Sequence, residues 1–191
     1  MLKISPKKGR LLVAEPGILN DSSFNKAIIL LTEHTENNSV GFVLNKPLDY
    51  HINDLLPTIN CTFKIYQGGP VEQDNLYFLH RVPQLLDKSI PVSNGVYWGG
   101  DFKQLTKLLN KNALDASEIR FFLGYSGWDK QQLADELEEN SWFVTENDFD
   151  NILSNEEKNL WKDKLLQKGG SYKLWALSLI HISEPTRPSQ I

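Results

Sequence analysis

The sequence predicts a single domain of the α+β class. Short apolar runs of strand length dominate its first half, and amphipathic helical patterns are concentrated in its second half. The two do not alternate regularly, which argues against a doubly wound parallel sheet. A length of 191 residues suits one domain, and no internal repeat or linker divides the chain.

Runs rich in Leu, Ile, Val and aromatic residues predict the strands. They cover residues 10–14, 27–31, 40–44, 63–66, 76–79, 96–98 and 119–123. Pro47 is expected to end the third run, because proline cannot donate to a continuing ladder. Glycine-rich segments follow three of the other runs, at residues 68–70, 99–100 and 124–127.

Capping and periodicity predict the helices. They are expected over residues 52–56, 101–109, 129–140 and 154–168. Asp101 with Gln104 forms a capping-box variant, which places the start of the second helix. The glycine pair at 169–170 is expected to end the last helix, as glycine commonly does.

Composition limits the classes of protein to which the chain can belong. Its formal net charge is −4, which weakly opposes DNA binding, because the negatively charged phosphates of DNA attract clustered Lys and Arg. Cys61 is the single cysteine, which excludes an intrachain disulfide and a multi-cysteine metal site. We find no leader and no run near the ~20 apolar residues of a membrane span, so we expect a cytoplasmic protein without a membrane partner.

Direct binding to DNA would need one positive face shared by the N-terminal basic residues and the lysines of the last helix. The residues concerned are Lys3, Lys7, Lys8, Arg10, Lys162, Lys164 and Lys168. Interspersion of these groups with Glu156, Glu157 and Asp163 would remove that interpretation. Given the acidic balance of the chain, we do not expect direct DNA binding.

Two histidines are the leading candidates for catalysis or metal binding. His34 and His80 each end a predicted strand and could meet in space as an acid–base pair. No metal-ligand spacing accompanies them, so a ring nitrogen bonded to a backbone carbonyl is the simpler expectation for each. A hydrolase that uses either histidine with Asp101 or Glu136 is the alternative function.

Neither candidate nucleophile has supporting groups. Ser126 lies in the segment GYSGW, after a predicted strand and before a predicted helix. A nucleophile elbow needs one residue between the serine and the next glycine, whereas Gly127 follows Ser126 directly. Cys61 is expected to be a buried structural thiol. The residues therefore predict no catalytic set.

The glycine segments allow two interpretations. Glycines that end strands ahead of helices can expose backbone N–H groups that bind anions. They can equally permit close packing of strands, which we favour because no nucleotide-binding motif occurs. Gln132 and Glu136 lie on one helical face, where they could form a solvated pair or line a groove with Tyr125 and Trp128.

The order of these motifs resembles the YqgE/AlgH family from about residue 9 to about residue 175. The matching segments are Leu11-Leu12-Val13-Ala14, Pro16, Phe24, Leu30-Leu31, Glu33-His34, GFVLNKP at 41–47, Gly68-Gly69-Pro70-Val71, Leu79-His80, Gly99-Gly100-Asp101, GYSGW at 124–128, Gln132-Leu133, Glu136-Leu137, Trp142 and Trp161. The resemblance implies a bacterial, cytoplasmic α+β domain with a bifurcated, partly barrel-like mixed sheet surrounded by helices. It also implies a transcriptional regulator without an established enzymatic activity.

The chain departs from the family pattern in two places. Gln131 stands where the family usually has a glycine before the Gln-Leu pair. The segment 177–191 looks unrelated to the family's usual ending. We therefore expect a YqgE/AlgH-like domain over residues 1–175, followed by a disordered or foreign tail over 176–191.

These observations predict a non-enzymatic regulatory or binding protein. A surface groove of glycines and aromatic residues would take a small ligand or a partner protein. Its candidate residues are His34, Asn45, Lys46, Pro47, Gly68, Gly69, Pro70, His80, Tyr97, Gly99, Gly100, Asp101, Gly124, Tyr125, Gly127, Trp128, Gln132 and Glu136. No metal and no cofactor are expected.

Overall fold

A computed structural model describes residues 2–18, 21–154 and 157–178, within which ten strands form one mixed sheet. The strands are β1 (Leu11–Ala14), β2 (Ile28–His34), β3 (Asn38–Val43), β4 (Pro47–His51), β5 (Lys64–Gln67), β6 (Val71–His80), β7 (Ile90–Ser93), β8 (Val96–Trp98), β9 (Ile119–Asp129) and β10 (Trp142–Thr145). The helices of the same ranges are α1 (Ile52–Leu55), α2 (Phe102–Asn110), α3 (Gln132–Glu138), α4 (Glu157–Lys168) and α5 (Ser171–Ser178).

The sheet branches at β9 and stays open at its ends. Its main path runs β10-β1-β2-β3-β9-β6-β8-β7, and β4 joins through β5. The first part of β9 lies between β6 and the parallel strand β5, whereas residues 126–129 pair with β3. The expected barrel-like closure is wrong, because β10 and β7 end an open path. The short helices also do not clearly surround so large a sheet.

Three apolar clusters fill the two faces of the sheet. In β1, Leu11 and Val13 point into the largest cluster, while Leu12 and Ala14 point into another. Alternate residues of a strand face opposite sides, so β1 is buried on both and is apolar throughout. We call the cluster that contains Leu11 and Val13 the main cluster, and the one that contains Leu12 and Ala14 the third cluster. A second cluster packs α2 against β5, β6 and β9.

Most predicted elements are present, and the structure corrects several details. β9 continues through residues 124–127, so these glycines lie inside a strand and not ahead of a helix. The third strand has ended by Pro47 as expected, but Pro47 itself is the first residue of β4, a position that tolerates proline. The sequence patterns missed the strands β4, β7 and β10 and the helix α5. Residues 176–178 of the predicted tail belong to α5, and the rest of that tail lies outside the described residues.

Candidate functional site

The contacts of the predicted groove residues divide them into separate local groups. His80, Tyr97, Gly99, Gly100 and Asp101 lie around the ends of β6 and β8. The His80 ring is fully buried, accepts from the Val82 N–H at Nδ1 (3.2 Å) and donates from Nε2 to the Gly99 carbonyl (2.9 Å). Burial lowers its pKa below the usual value, and the bond to Gly99 only partly opposes this. His80 therefore has the structural role predicted for it.

Asp101 and His34 also have local partners. Asp101 accepts a hydrogen bond from the Gln104 backbone N–H (3.0 Å), caps α2 as predicted, and has a lowered pKa because of that bond. His34 Nδ1 lies 2.7 Å from the hydroxyl oxygen of Ser39, which is only 4% exposed. In the described part of the chain, no hydrogen bond joins His34 or His80 to Asp101 or Glu136.

Trp128, Gln132 and Glu136 are joined by hydrogen bonds, with Trp128 buried, Glu136 partly exposed and Gln132 exposed. One carboxylate oxygen of Glu136 accepts from the indole N–H groups of Trp128 and Trp142, each at 2.8 Å. The other accepts from the Gln132 amide at 3.1 Å. Both tryptophans are 3% exposed and belong to the third cluster. Glu136 therefore anchors α3 to β9 and β10.

Asn45 and Lys46 tie the segment after β3 to the segment before β2. Asn45 accepts from the Ile28 N–H (3.0 Å) and donates to the Lys26 carbonyl (2.8 Å), while Lys46 donates to the Asn25 carbonyl (2.6 Å). Burial lowers the pKa of Lys46, and the charge of Asp21 opposes that shift. Pro47 follows on the surface as the first residue of β4.

The remaining predicted residues lie at a tight backbone crossing, where the chain between β5 and β6 passes over β9. A Cβ on Gly69 would lie 2.2 Å from the Tyr125 carbonyl, and one on Gly124 would lie 2.5 Å from the Gly69 carbonyl oxygen. Only glycine permits this approach, which supports the packing interpretation. Ser126 is fully buried and donates to the Gly68 carbonyl (3.1 Å). Beside the crossing, Pro70 is exposed, and Tyr125 and Gly127 are partly exposed.

A cavity of about 680 Å³ lies apart from the predicted groove residues, at the N-terminal ends of the parallel strands β5 and β9. Its described lining consists of Asn60, Cys61, Thr62, Phe63, Lys64, Tyr66, Asn112, Leu114, Ala116, Ser117, Ile119, Arg120, Leu153 and Ser154. The lining therefore combines aliphatic and aromatic surface with amides, hydroxyls and two basic side chains. Burial raises the pKa of the Cys61 thiol, so that the cysteine is a neutral part of the wall.

Arg120 holds the cavity wall in place. Its guanidinium donates to the carbonyls of Leu44 (2.9 Å) and Leu153 (2.7 Å) and lies 4.4 Å from the centre of the Tyr66 ring. The side chain is 6% exposed, and carbonyl and aromatic partners stabilise its buried charge. Sequence analysis missed this site, although an arginine inside the apolar run 119–123 is a signal of a polar centre in a core.

Three of the seven basic residues considered for DNA binding are paired with carboxylates. Lys164 is buried and bonded to Asp148, and Lys168 lies 3.3 Å from Glu15. Arg10 forms an ion pair of 2.8 Å with Glu146. Glu156 lies outside the described residues, as does the side chain of Glu157. The described pairs do not form the single positive face that DNA binding would need.

The described ranges show neither a metal-binding cluster nor a membrane-spanning helix. They contain no group of three or more His, Cys, Asp or Glu side chains placed to hold a metal ion. None of their helices has the length and apolar character needed to cross a membrane.

Comparison with known proteins establishes the family. The sequence profile of the AlgH-like family (DUF179) matches residues 11–173. The chain belongs to the AlgH-like family. A UPF0301 protein of Bacteroides thetaiotaomicron is 37% identical over 176 residues, which cover 91% of this chain and 88% of the relative. One from Chlorobaculum parvum is 37% identical over 173 residues, covering 90% of this chain and 92% of its own.

Solved structures share the fold of this AlgH-like chain. The crystal structure of protein DIP2367 from Corynebacterium diphtheriae superposes with a TM-score of 0.75 at 23% identity, covering 92% of this chain and 94% of that one. The solution structure of the AlgH protein from Pseudomonas aeruginosa superposes with a TM-score of 0.71 at 22% identity, covering 96% of this chain and 98% of that one. At these identities the likeness concerns the fold alone.

Proposed function

We propose that this AlgH-like chain is a cytoplasmic binding protein with a regulatory role, and that it takes a small organic ligand in the cavity beside Cys61 and Arg120. The observation that carries the proposal is the cavity itself. Its volume of about 680 Å³ falls within the range of small-molecule sites, and its lining combines apolar walls with a few polar groups. The regulatory part rests on the family resemblance.

Contacts around the cavity favour an uncharged ligand over an anion. Arg120 already donates to two carbonyls and stacks on Tyr66, so that its charge is stabilised without a ligand. The aromatic and aliphatic walls suit an apolar body, and the amides and hydroxyls of Asn60, Thr62 and Ser117 suit neutral hydrogen-bonding groups. Binding rather than turnover is favoured because the candidate acids and bases have structural partners.

Two alanines beside β9 provide a matched test. Ala113 and Ala116 are both exposed, but only Ala116 lines the cavity. We expect neutral aromatic amides and alcohols to stabilise the wild type and Ala113→Trp in a thermal-shift screen, and not Ala116→Trp, whose indole would fill the cavity. A ligand at 100 times its Kd adds about 2.7 kcal/mol of stability.

A second readout reports the site directly. Cys61 is the single thiol and lines the cavity, so a bound ligand should slow its alkylation by iodoacetamide. Equal stabilisation of Ala116→Trp and Ala113→Trp, or binding without protection of Cys61, would contradict the cavity as the site. Stronger binding of the matched carboxylates than of the amides would contradict the uncharged ligand.

A further inference from the structure

The start of β6 has an unusual backbone. Val71 pairs with Tyr125 of β9, and regular pairing resumes only at Leu76, so residues 72–75 form a bulge. Glu72 has a φ of +47°, in the left-handed region that residues other than glycine rarely adopt. The glycine crossing at residues 69 and 124 packs against this segment. Strained backbone in residues other than glycine clusters at functional sites.

The bulge presents a fixed carboxylate at the surface. One carboxylate oxygen of Glu72 accepts from the Tyr77 hydroxyl and from the Asn75 amide, the latter at 3.0 Å. The hydrogen bond from Tyr77 holds the pKa of Glu72 below its usual value. Glu72 is exposed, and no Lys or Arg of the described residues forms an ion pair with it. An oriented, charged group therefore faces solvent without a counterion from the described chain.

The Tyr77 ring, whose hydroxyl bonds this carboxylate, packs against a second tyrosine. Tyr77 and Tyr125 meet edge to face, with ring centres 5.7 Å apart and planes at 85°. Phe42 supports the Tyr77 ring from below at 5.7 Å. A Cβ on residue 127 would lie 3.2 Å from the Tyr125 ring. Because residue 127 is glycine, it has no side chain to cover that part of the ring. Both tyrosines are partly exposed.

We propose that Glu72, Tyr77 and Tyr125 form a recognition site for an organic cation, either a Lys or Arg side chain of a partner protein or a free ammonium compound. The carboxylate attracts the charge, and the ring faces attract it through their quadrupoles. The hydrogen bonds from Tyr77 and Asn75 orient the carboxylate before binding, which reduces the ordering needed on association. The site is separate from the cavity lining, so either proposal can fail without the other.

The test compares two carboxylates of the same bulge. Glu72 and Asp74 are both exposed, but only Glu72 bonds to Tyr77 and Asn75. NMR titrations would use N-acetyl-lysine amide, N-acetyl-arginine amide and tetramethylammonium, with N-acetyl-glutamine amide as the neutral control. We expect millimolar binding of the cations, with chemical-shift changes at Tyr77 and Tyr125, and none with the neutral amide at about 50 mM.

Variants separate specific recognition from general attraction to an acidic surface. Glu72→Gln should weaken cation binding about 10-fold, and Tyr125→Leu about 3-fold, whereas Asp74→Asn should change it less than about 2-fold. The dispersion of the NMR spectrum would show that each variant is folded. Equal losses of cation affinity in Glu72→Gln and Asp74→Asn would overturn the proposal. So would the absence of chemical-shift changes at the two tyrosines of the wild type.

The two sources of the cation give different affinities. A ten-residue Lys/Arg peptide should bind at least about 10-fold more tightly than single amino-acid amides if the site receives a partner protein. Binding of tetramethylammonium that equals or exceeds binding of the peptide would identify a free ammonium ligand. Failure of every cation to bind the wild type would sink the site as a whole.

Discussion

Gln131 occupies a backbone conformation that suits glycine better than glutamine. Its φ is +72°, directly before α3, at the position where the family resemblance implies a glycine. A left-handed conformation crowds the Cβ of an L-residue and costs about 1–2 kcal/mol. The Gln131 side chain makes only a long hydrogen bond of 3.3 Å to Asp135. We expect Gln131→Gly to raise the free energy of unfolding by about 1 kcal/mol in urea denaturation.

The neighbouring residue provides the control. Lys130 is also exposed but has no positive φ, so Lys130→Gly should lower stability by about 0.5–1 kcal/mol through chain entropy. Changes of opposite sign in the free energy of unfolding at these two adjacent positions would show that the effect comes from the backbone conformation. A loss of stability in both variants would show that the side chain of Gln131 contributes more than its conformation costs.

Individual residues show what sequence patterns can and cannot predict. Asp101 was predictable as a cap because its partner, Gln104, lies three residues away. The role of His80 also follows from its type and place at a strand end, and its bond to the Gly99 carbonyl confirms it. His34 does not bond a carbonyl as expected, since its partner is Ser39 across the β2–β3 hairpin. Local partners can be read from the sequence, whereas cross-strand partners need the register.

The elements were predicted where periodicity was strong. The apolar run of β1 reflects burial on both faces, which makes it easy to recognise. β7 was missed because its four residues include a proline and two exposed positions. The glycines of β9 predict the end of a strand, whereas in the structure they let residues 68–69 pass close to the middle of β9. Arg120 signals a polar centre, but the cavity as a whole could not be predicted, because its walls come from separate segments at 60–66, 112–120 and 153–154.

The anchoring of α3 depends on one carboxylate. Glu136 accepts from two indole N–H groups that are otherwise buried in the third cluster. Glu136→Ala would leave both donors unsatisfied, and each such buried group costs about 1–3 kcal/mol. We therefore expect this variant to lower the free energy of unfolding by about 2–4 kcal/mol and to change the tryptophan fluorescence.

Two variants of α3 make the interpretation specific. Glu136→Gln retains a carbonyl oxygen with two lone pairs, so it should lose less than about half of that stability. Glu138→Ala removes an exposed carboxylate from the same helix and should change stability by less than about 0.5 kcal/mol. Equal effects of the alanine variants at 136 and 138 would indicate helix propensity or charge, and not the indole contacts.

At the scale of the whole molecule, β9 links the three apolar clusters. Ile119 and Phe121 belong to the second cluster, Phe122 to the main cluster and Trp128 to the third. The same strand pairs with β3, β5 and β6. Separating any cluster from the others would require β9 to break some of its hydrogen bonds to neighbouring strands. The clusters should therefore lose their packing in one cooperative step.

Each cluster carries its own probe of that step. Trp161 reports the main cluster, Cys61 the second, and Trp128 with Trp142 the third. We expect the urea midpoints from tryptophan fluorescence, Cys61 alkylation and far-UV circular dichroism to agree within about 0.2 M, because β9 forces the three clusters to unfold together. Alkylation of Cys61 at a clearly lower midpoint would instead show that the second cluster opens by itself and that β9 couples only the other two.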